Sequence, residues 1–198
     1  MTQPPVLLAS ASPTRITILR KVGLDFAPQA AELDESFLHK THSHLPPAEL
    51  ALALAKAKAL SLAPEYPDAW IIGSDQVLDF KGKPLHKAKS IGEARVKLRS
   101  LRGHTHQLHS AVAVAHAGGI AFCDIQSVAM TMRQFSDTFL DDYLAKAPAA
   151  ALHSAGCYHY EGLGAQLFEK VEGDYYAILG LPLLPLLAFL REASILRS

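Results

Sequence analysis

The stretch WIIGSDQVLDF, residues 70–80, constrains the chain more than any other. Trp70, Ile71 and Ile72 form a continuous apolar run, which suits a short strand covered on both faces. The run meets Gly73 and breaks into Ser74, Asp75 and Gln76. Gly73 permits a close backbone approach or an unusual dihedral. A carboxylate just past the end of a buried strand is where α/β enzymes place chemistry. Asp is also a common turn residue, so from these residues alone Asp75 either caps a turn or carries a reaction.

A second short apolar run, Val6, Leu7 and Leu8, predicts a buried first strand that breaks into the small-residue loop ASASPTR, residues 9–15. Ser12 followed by Pro13 predicts a helix start, with Ser as N-cap and Pro at the first helical position. Ile16, Leu19 and Val22 then share one face, and Gly23 ends the helix. Strand, small-residue loop, helix N-terminus and a basic residue can form an anion site, with loop amides and Arg15 gripping phosphate oxygens. The same residues also describe an ordinary capped helix with a surface arginine.

Further along, Glu32, Asp34 and Glu35 cluster in a predicted loop, which either holds a divalent cation through carboxylate oxygens or is a solvated turn. Residues 48–63 predict an Ala- and Leu-rich helix. Its Lys56 and Lys58 are two apart, so they cannot share a face and at most one points into a site. Lys83 precedes Pro84 and is held extended. Residues 90–102 predict a helix with Ser90 and Glu93 spaced as a capping box. Residues 106–115 and 120–132 predict a hairpin joined by Ala117-Gly118-Gly119. A helix follows over 136–146, with Phe139, Leu140 and Tyr143 inward, and a last amphipathic helix runs to Arg191. In SAGCYHYEGLG, residues 154–164, the pair Gly162 and Gly164 lacks the third glycine of a dinucleotide fingerprint. Glu161 there is either an acceptor for a base edge or a plain turn residue. Strands alternating with helices, then a hairpin, predict an α/β fold.

Composition narrows the function class. Lys plus Arg and Asp plus Glu are 19 each, so no global field selects nucleic acid or an anionic membrane. Hydrophobic residues make up 49% of the 198, which fits a folded protein. No apolar run reaches the roughly 18 residues that span a bilayer; residues 179–190 come nearest and contain two prolines. Residues 1–5 have neither the basic start nor the apolar core of a signal peptide. Cys123 and Cys157 are too few for a disulfide framework or a thiolate zinc site, so a reduced, cytoplasmic protein without nucleic-acid or membrane partners is expected. The ten histidines include no HExxH. His104 and His106 share a strand face while His109 faces the other way, which argues against a histidine-zinc hydrolase.

Taken in order, these pieces resemble the Maf family of nucleotide pyrophosphatases over nearly the whole chain. The resemblance rests on LLASASPTR (7–15), Asp34-Glu35, the alanine-rich helix with Lys58, IIGSDQV (71–77) and Gly82-Lys83-Pro84. It continues through GHTHQLHSAVAV (103–114), SAGCYHYEGLGAQLFEKVEGDYY (154–176) and GLPL (180–183). It implies one domain over residues 1–198, a mixed twisted sheet flanked by helices, and two lobes around a central cleft. It further implies a homodimer that hydrolyses a nucleoside triphosphate to monophosphate and pyrophosphate with a divalent cation, Mg²⁺ or Mn²⁺. By the same resemblance Asp75 is the proton acceptor, Glu35 and Asp75 hold the metal, and Ser10, Ser12, Arg15, Lys58 and Lys83 bind phosphate.

Three positions, Thr14, Gln76 and Glu161, match those that set substrate choice in the family. The dTTP/UTP branch resembles Arg, Thr and Gln there, and this chain differs at all three. The 7-methyl-GTP branch shares Gln76 and Glu161, but carries an aromatic residue where Thr14 stands. It also lacks the lysine that many members have in place of Ser154. An ionised Glu accepts only, so it pairs with the two adjacent donors of guanine and repels the acceptors of a pyrimidine. The expected substrate is a modified purine nucleotide such as 7-methyl-GTP. The alternatives are the dTTP/UTP activity of the same family and a non-catalytic nucleotide-binding regulator of cell division.

Overall fold

The computed structural model describes residues 5–31 and 33–197, without the side chains of Glu35 and Ser36. Its elements run β1 (Val6–Leu8), α1 (Pro13–Lys21), β2 (Ala27–Pro28), α2 (Glu35–Thr41), α3 (Pro47–Ser61), β3 (Trp70–Phe80), β4 (Lys83–Leu85), α4 (Ile91–Leu101) and β5 (Thr105–His116). They continue with β6 (Gly119–Met132), α5 (Asp137–Lys146), α6 (Pro148–His153), a 3₁₀ turn (Leu163–Leu167), β7 (Phe168–Glu172), α7 (Tyr175–Ile178) and α8 (Leu183–Glu192). The strands form one mixed sheet in the order β2-β1-β3-β5-β6-β7, with β4 also on β3. β1 runs parallel to β2 and β3, and every other pairing is antiparallel.

The strand at the centre is longer than its apolar start suggests. It does not stop at Gly73 but continues to Phe80, so Asp75 lies in mid-strand rather than past its end. The reason is lateral pairing: residues 71–79 lie in register with β5 from Ala115 to Gln107. That ladder holds the polar residues extended against their turn preference.

Alternation along β3 divides the core. Ile71 and Val77 pack under α3 with Leu50, Leu54 and Ala59. Ile72 faces the opposite way, into a cluster with Ile18, Leu19, Leu186 and Leu190 of α1 and α8. Beyond the polar segment, Leu78 enters a third cluster with Leu98 of α4, Leu108, Met130, and Leu140 and Tyr143 of α5. The first two clusters build one lobe and the third builds the other. β3, β5 and β6 run through both.

Between the lobes the sheet has a gap. β1 ends where Leu8 pairs with Ile72, and the antiparallel β4 ends where Leu85 pairs with Leu78. The opposite edge of β3 belongs to β5, so β1 and β4 share an edge, and among the described residues no strand lies beside residues 73–77 there.

Local signals behave as their chemistry dictates. Ser12, Ser90 and Ser136 cap α1, α4 and α5 by accepting from Arg15 N, Glu93 N and Phe139 N. Two details differ from expectation. In the acidic stretch, Ala31, Leu33 and Asp34 are irregular as expected, but Glu35 and Ser36 already belong to α2, which Asp34 caps by accepting from Phe37 N at 2.9 Å; Glu32 lies outside the described residues. The buried side of α1 is Arg15, Ile18 and Leu19, while Ile16 and Val22 are half-buried. No helix among the described residues is long and apolar enough to cross a membrane.

Candidate active site

The gap in the sheet collects the polar residues of β3, and their alternation sends them to two faces. Asp75 turns toward α3, where its Oδ1 accepts from Lys58 Nζ at 2.7 Å. Both side chains are largely buried. Lys58 is the one of the two helix lysines that turns inward; Lys56 is half-exposed. Gly73, two residues back on the same face, allows this approach. A Cβ there would lie 2.5 Å from Ala59 N and closer still to the Ala55 carbonyl oxygen, so only glycine lets α3 sit this near β3.

Ser74 and Gln76 turn to the other face, toward α7 and Gly180. Ser74 Oγ lies 2.9 Å from Gly180 O and 2.8 Å from Ala111 O, its one proton shared between the two carbonyls. The two Nε2 protons of Gln76 are shared among Ala177 O, Ile178 O and Ser110 Oγ at 2.9–3.1 Å. Ser110 Oγ donates to Ala177 O at 2.6 Å. These bonds anchor α7 to the sheet.

Arg15 ties the loop after β1 into the gap. It is buried, and its Nε donates to Gly180 O at 2.8 Å while Nη1 donates to Ser74 O at 2.9 Å. The guanidinium thus occupies the carbonyl that a continued β1 would have bonded. Nη1 also reaches Ser10 Oγ at 3.4 Å, and Ser10 Oγ accepts from Ser12 N at 3.2 Å. Ser10, Ser12 and Arg15 therefore form one hydrogen-bonded loop at the end of β1, with the α1 N-terminus behind it.

A pocket of about 330 Å³ opens beside that loop, at the small end of ligand-site sizes. Thr14, Lys21, Glu161, Tyr175, Tyr176 and Leu179 are among its lining. Glu161 Oε1 accepts from Tyr175 Oη at 2.7 Å, and this bond, ahead of burial, raises the phenol above its usual pKa. The rings of Tyr175 and Tyr176 meet edge to face at 5.6 Å.

The structure thus brings together Asp75 with Lys58, Ser10 with Ser12 and Arg15, and Thr14 with Glu161. Gln76 is not among the pocket's lining; it bonds the backbone of α7, the element that carries Tyr175 and Tyr176. Lys83 stands apart. It is exposed at the start of β4, opposite Phe80, five residues beyond Asp75 or about 17 Å along the strand. The Glu35 side chain lies outside the described residues. Among the described residues no three His, Cys, Asp or Glu side chains gather into a metal cluster. Asp75 offers the hard carboxylate oxygen that Mg²⁺ or Mn²⁺ prefers, and such ions commonly bind one or two carboxylates plus substrate phosphates. The donor chemistry fits a divalent cation on those terms. As the strand period requires, His106 and His109 face opposite ways: His106 bonds Tyr158 Oη, and His109 bonds Ser127 Oγ.

A family model described as Maf-like protein matches residues 5–193. The chain belongs to the Maf family. Among its relatives, the nucleoside triphosphate pyrophosphatase of Maricaulis maris is 44% identical over 192 residues, spanning 97% of this chain and 98% of that protein. The 7-methyl-GTP pyrophosphatases of Rhizobium meliloti and Bartonella henselae are 45% and 44% identical, each spanning 96% of both chains. In this Maf chain, sequence reasoning missed Tyr175, Tyr176 and Lys21 as pocket residues. Tyr175 lies 14 positions from Glu161, and no local pattern announces their contact. The only signal was the aromatic pair before GLPL.

Proposed function

We propose that this protein hydrolyses a nucleoside triphosphate to the monophosphate and pyrophosphate, with 7-methyl-GTP as the preferred substrate. The observation that carries the reading is the Asp75–Lys58 pair set in the gap of the sheet, beside the Arg15-clamped loop. Phosphoryl transfer asks a protein mainly for positioning and charge stabilisation. The loop at Ser10 and Ser12 receives phosphate oxygens through its hydroxyls and amides, supported by the α1 N-terminus. Arg15 holds the loop's shape and adds positive charge behind it. Asp75 takes the proton from the attacking water, and Lys58 fixes its orientation. Lys83, on the other lobe, supplies charge toward the far end of the triphosphate. A divalent cation held by Asp75 and Glu35 would neutralise charge on the triphosphate. The base enters the pocket, where Glu161 accepts from the adjacent N–H groups of a guanine edge. Thr14 forms part of the wall, and Gln76 acts through α7. The family resemblance further supports a single domain acting as a cytoplasmic homodimer.

The test is a panel of 7-methyl-GTP, GTP, dTTP and UTP, scored for pyrophosphate release with and without Mg²⁺ or Mn²⁺. Release favouring 7-methyl-GTP, lost in chelator and restored by either ion, is the expected outcome. Preference for dTTP or UTP would move the chain to the pyrimidine branch. Nucleotide binding without turnover would make it a regulator.

A further inference from the structure

We propose that Tyr175 is a specificity-determining residue, which selects the base by holding the Glu161 carboxylate in place within the pocket. The inference rests on the nucleotide reading above and names the residue that acts through Glu161.

Glu161 lies in an irregular, exposed turn ahead of the 3₁₀ segment, so its own backbone gives the side chain little order. Its partner is far better fixed. Tyr175 opens α7, whose N-cap Asp174 accepts from Ala177 N at 2.9 Å and whose carbonyls are bonded by Gln76 and Ser110. The Tyr175 hydroxyl donates to Glu161 Oε1 at 2.7 Å. That bond occupies one carboxylate oxygen and sets the direction of the other. A carboxylate fixed in this way presents acceptors to a base carrying adjacent N–H donors and opposes a base edge carrying acceptors. Tyr175 also keeps 46% of its surface exposed, and it lines the same pocket as Glu161 and Thr14. Its ring therefore forms an aromatic wall where position 14 supplies only a threonine. The chain from Gln76 through the Ala177 carbonyl to Tyr175 and Glu161 gives Gln76 a route to base choice without lining the pocket.

The test compares wild type, Tyr175→Phe, Glu161→Gln and the double variant. Binding of 7-methyl-GMP, GMP, dTMP and UMP is measured by titration calorimetry, alongside kcat and KM for the four corresponding triphosphates. Phe keeps the ring and removes only the hydroxyl. The preference for guanine over pyrimidine nucleotides should fall about tenfold in Tyr175→Phe, the scale of one hydrogen bond to a charged group. The change should appear in Kd and KM rather than kcat, with the unfolding midpoint unchanged. The double variant should be no less selective than Glu161→Gln alone, because the two residues act as one unit. An unchanged preference in Tyr175→Phe, or an equal loss toward all four nucleotides, would overturn the inference. So would a wild type without preference for guanine. Guanine binding that depends on Tyr175 without pyrophosphate release would overturn the hydrolytic reading and leave this inference standing. Turnover with a preference insensitive to Tyr175 would do the reverse.

Discussion

Lys58 Nζ stands 2.7 Å from Asp75 Oδ1, joining the last turn of α3 to the middle of β3. The carboxylate is thereby held at one spot beside the gap in the sheet rather than left to swing. Asp75→Asn should abolish turnover while nucleotide binding survives, because the amide keeps the shape and can still accept from Lys58 but cannot take a proton from water. General-base assistance contributes roughly 10²–10⁴ in rate. Single-turnover pyrophosphate release checks this, and a variant retaining more than about a tenth of the wild-type rate would remove Asp75 from that role.

Gly73→Ala tests whether the pair depends on the close approach of α3. The added methyl would meet the α3 backbone at Ala55 and Ala59, which cannot rotate away as a side chain could. Overpacking of this kind costs about 1–3 kcal/mol. Thermal unfolding should show the loss, and turnover should fall with it as Lys58 is carried away from Asp75. An unchanged midpoint and unchanged kcat would show that α3 can shift without consequence.

Arg15→Met should destabilise the fold as well as weaken phosphate handling. Met keeps the apolar stem but leaves the buried Ser74 carbonyl without the donor at 2.9 Å. Gly180 O would still accept from Ser74 Oγ, so the loss is smaller than two broken bonds. About 1–3 kcal/mol is expected for one buried acceptor left unsatisfied. Urea denaturation should show a lower midpoint at constant m-value. Weakened catalysis with full stability would confine Arg15 to the phosphate.

His106 gives the fold a pH dependence. It is 1% exposed, and burial pushes its pKa down to about 4 from an ordinary 6.5. Between those values the unfolded chain binds a proton that the folded chain does not. The stability linked to this group is complete above pH 6.5 and is lost as pH falls through that window toward 4. A shift of this size corresponds to about 3 kcal/mol. His106→Gln keeps a partner for Tyr158 Oη and does not titrate. Its stability should therefore vary less than the wild type's between pH 6.5 and 4 in denaturant titrations. Parallel curves for the two proteins would assign the acid sensitivity elsewhere.

Short-range chemistry was the most legible part of the chain. Ser12-Pro13 and Ser90 announce helix starts because a cap acts within three residues, and Gly118-Gly119 announces the hairpin for the same reason. The inward lysine follows from helix geometry once Lys56 and Lys58 are seen to diverge. What escaped was long-range. Asp75 reads as lying past a strand end because its polar neighbours resist β structure on their own, and only β5 keeps them extended. Arg15 reads as a phosphate grip or a surface charge, and its buried acceptors, Ser74 and Gly180, stay hidden because they are 59 and 165 residues away. Tyr175 carries no mark of its bond to Glu161, because Glu161 lies in an irregular turn and Tyr175 opens a separate helix, so no period relates them. The site's members were thus largely visible as residue types, whereas their grouping on two faces of a broken sheet edge was not.

The gap beside β3 also bears on how the lobes can move. Two bodies joined by a loop can swing apart on a few dihedrals, but here β3, β5 and β6 pass unbroken from one core into the other. Opening the cleft widely would strain or break rungs of the ladder on both sides of residues 73–77. Motion is therefore restricted to a small change of twist in three coupled strands, a stiff mode rather than a hinge. The separation of the two lobes is thereby set by the sheet itself.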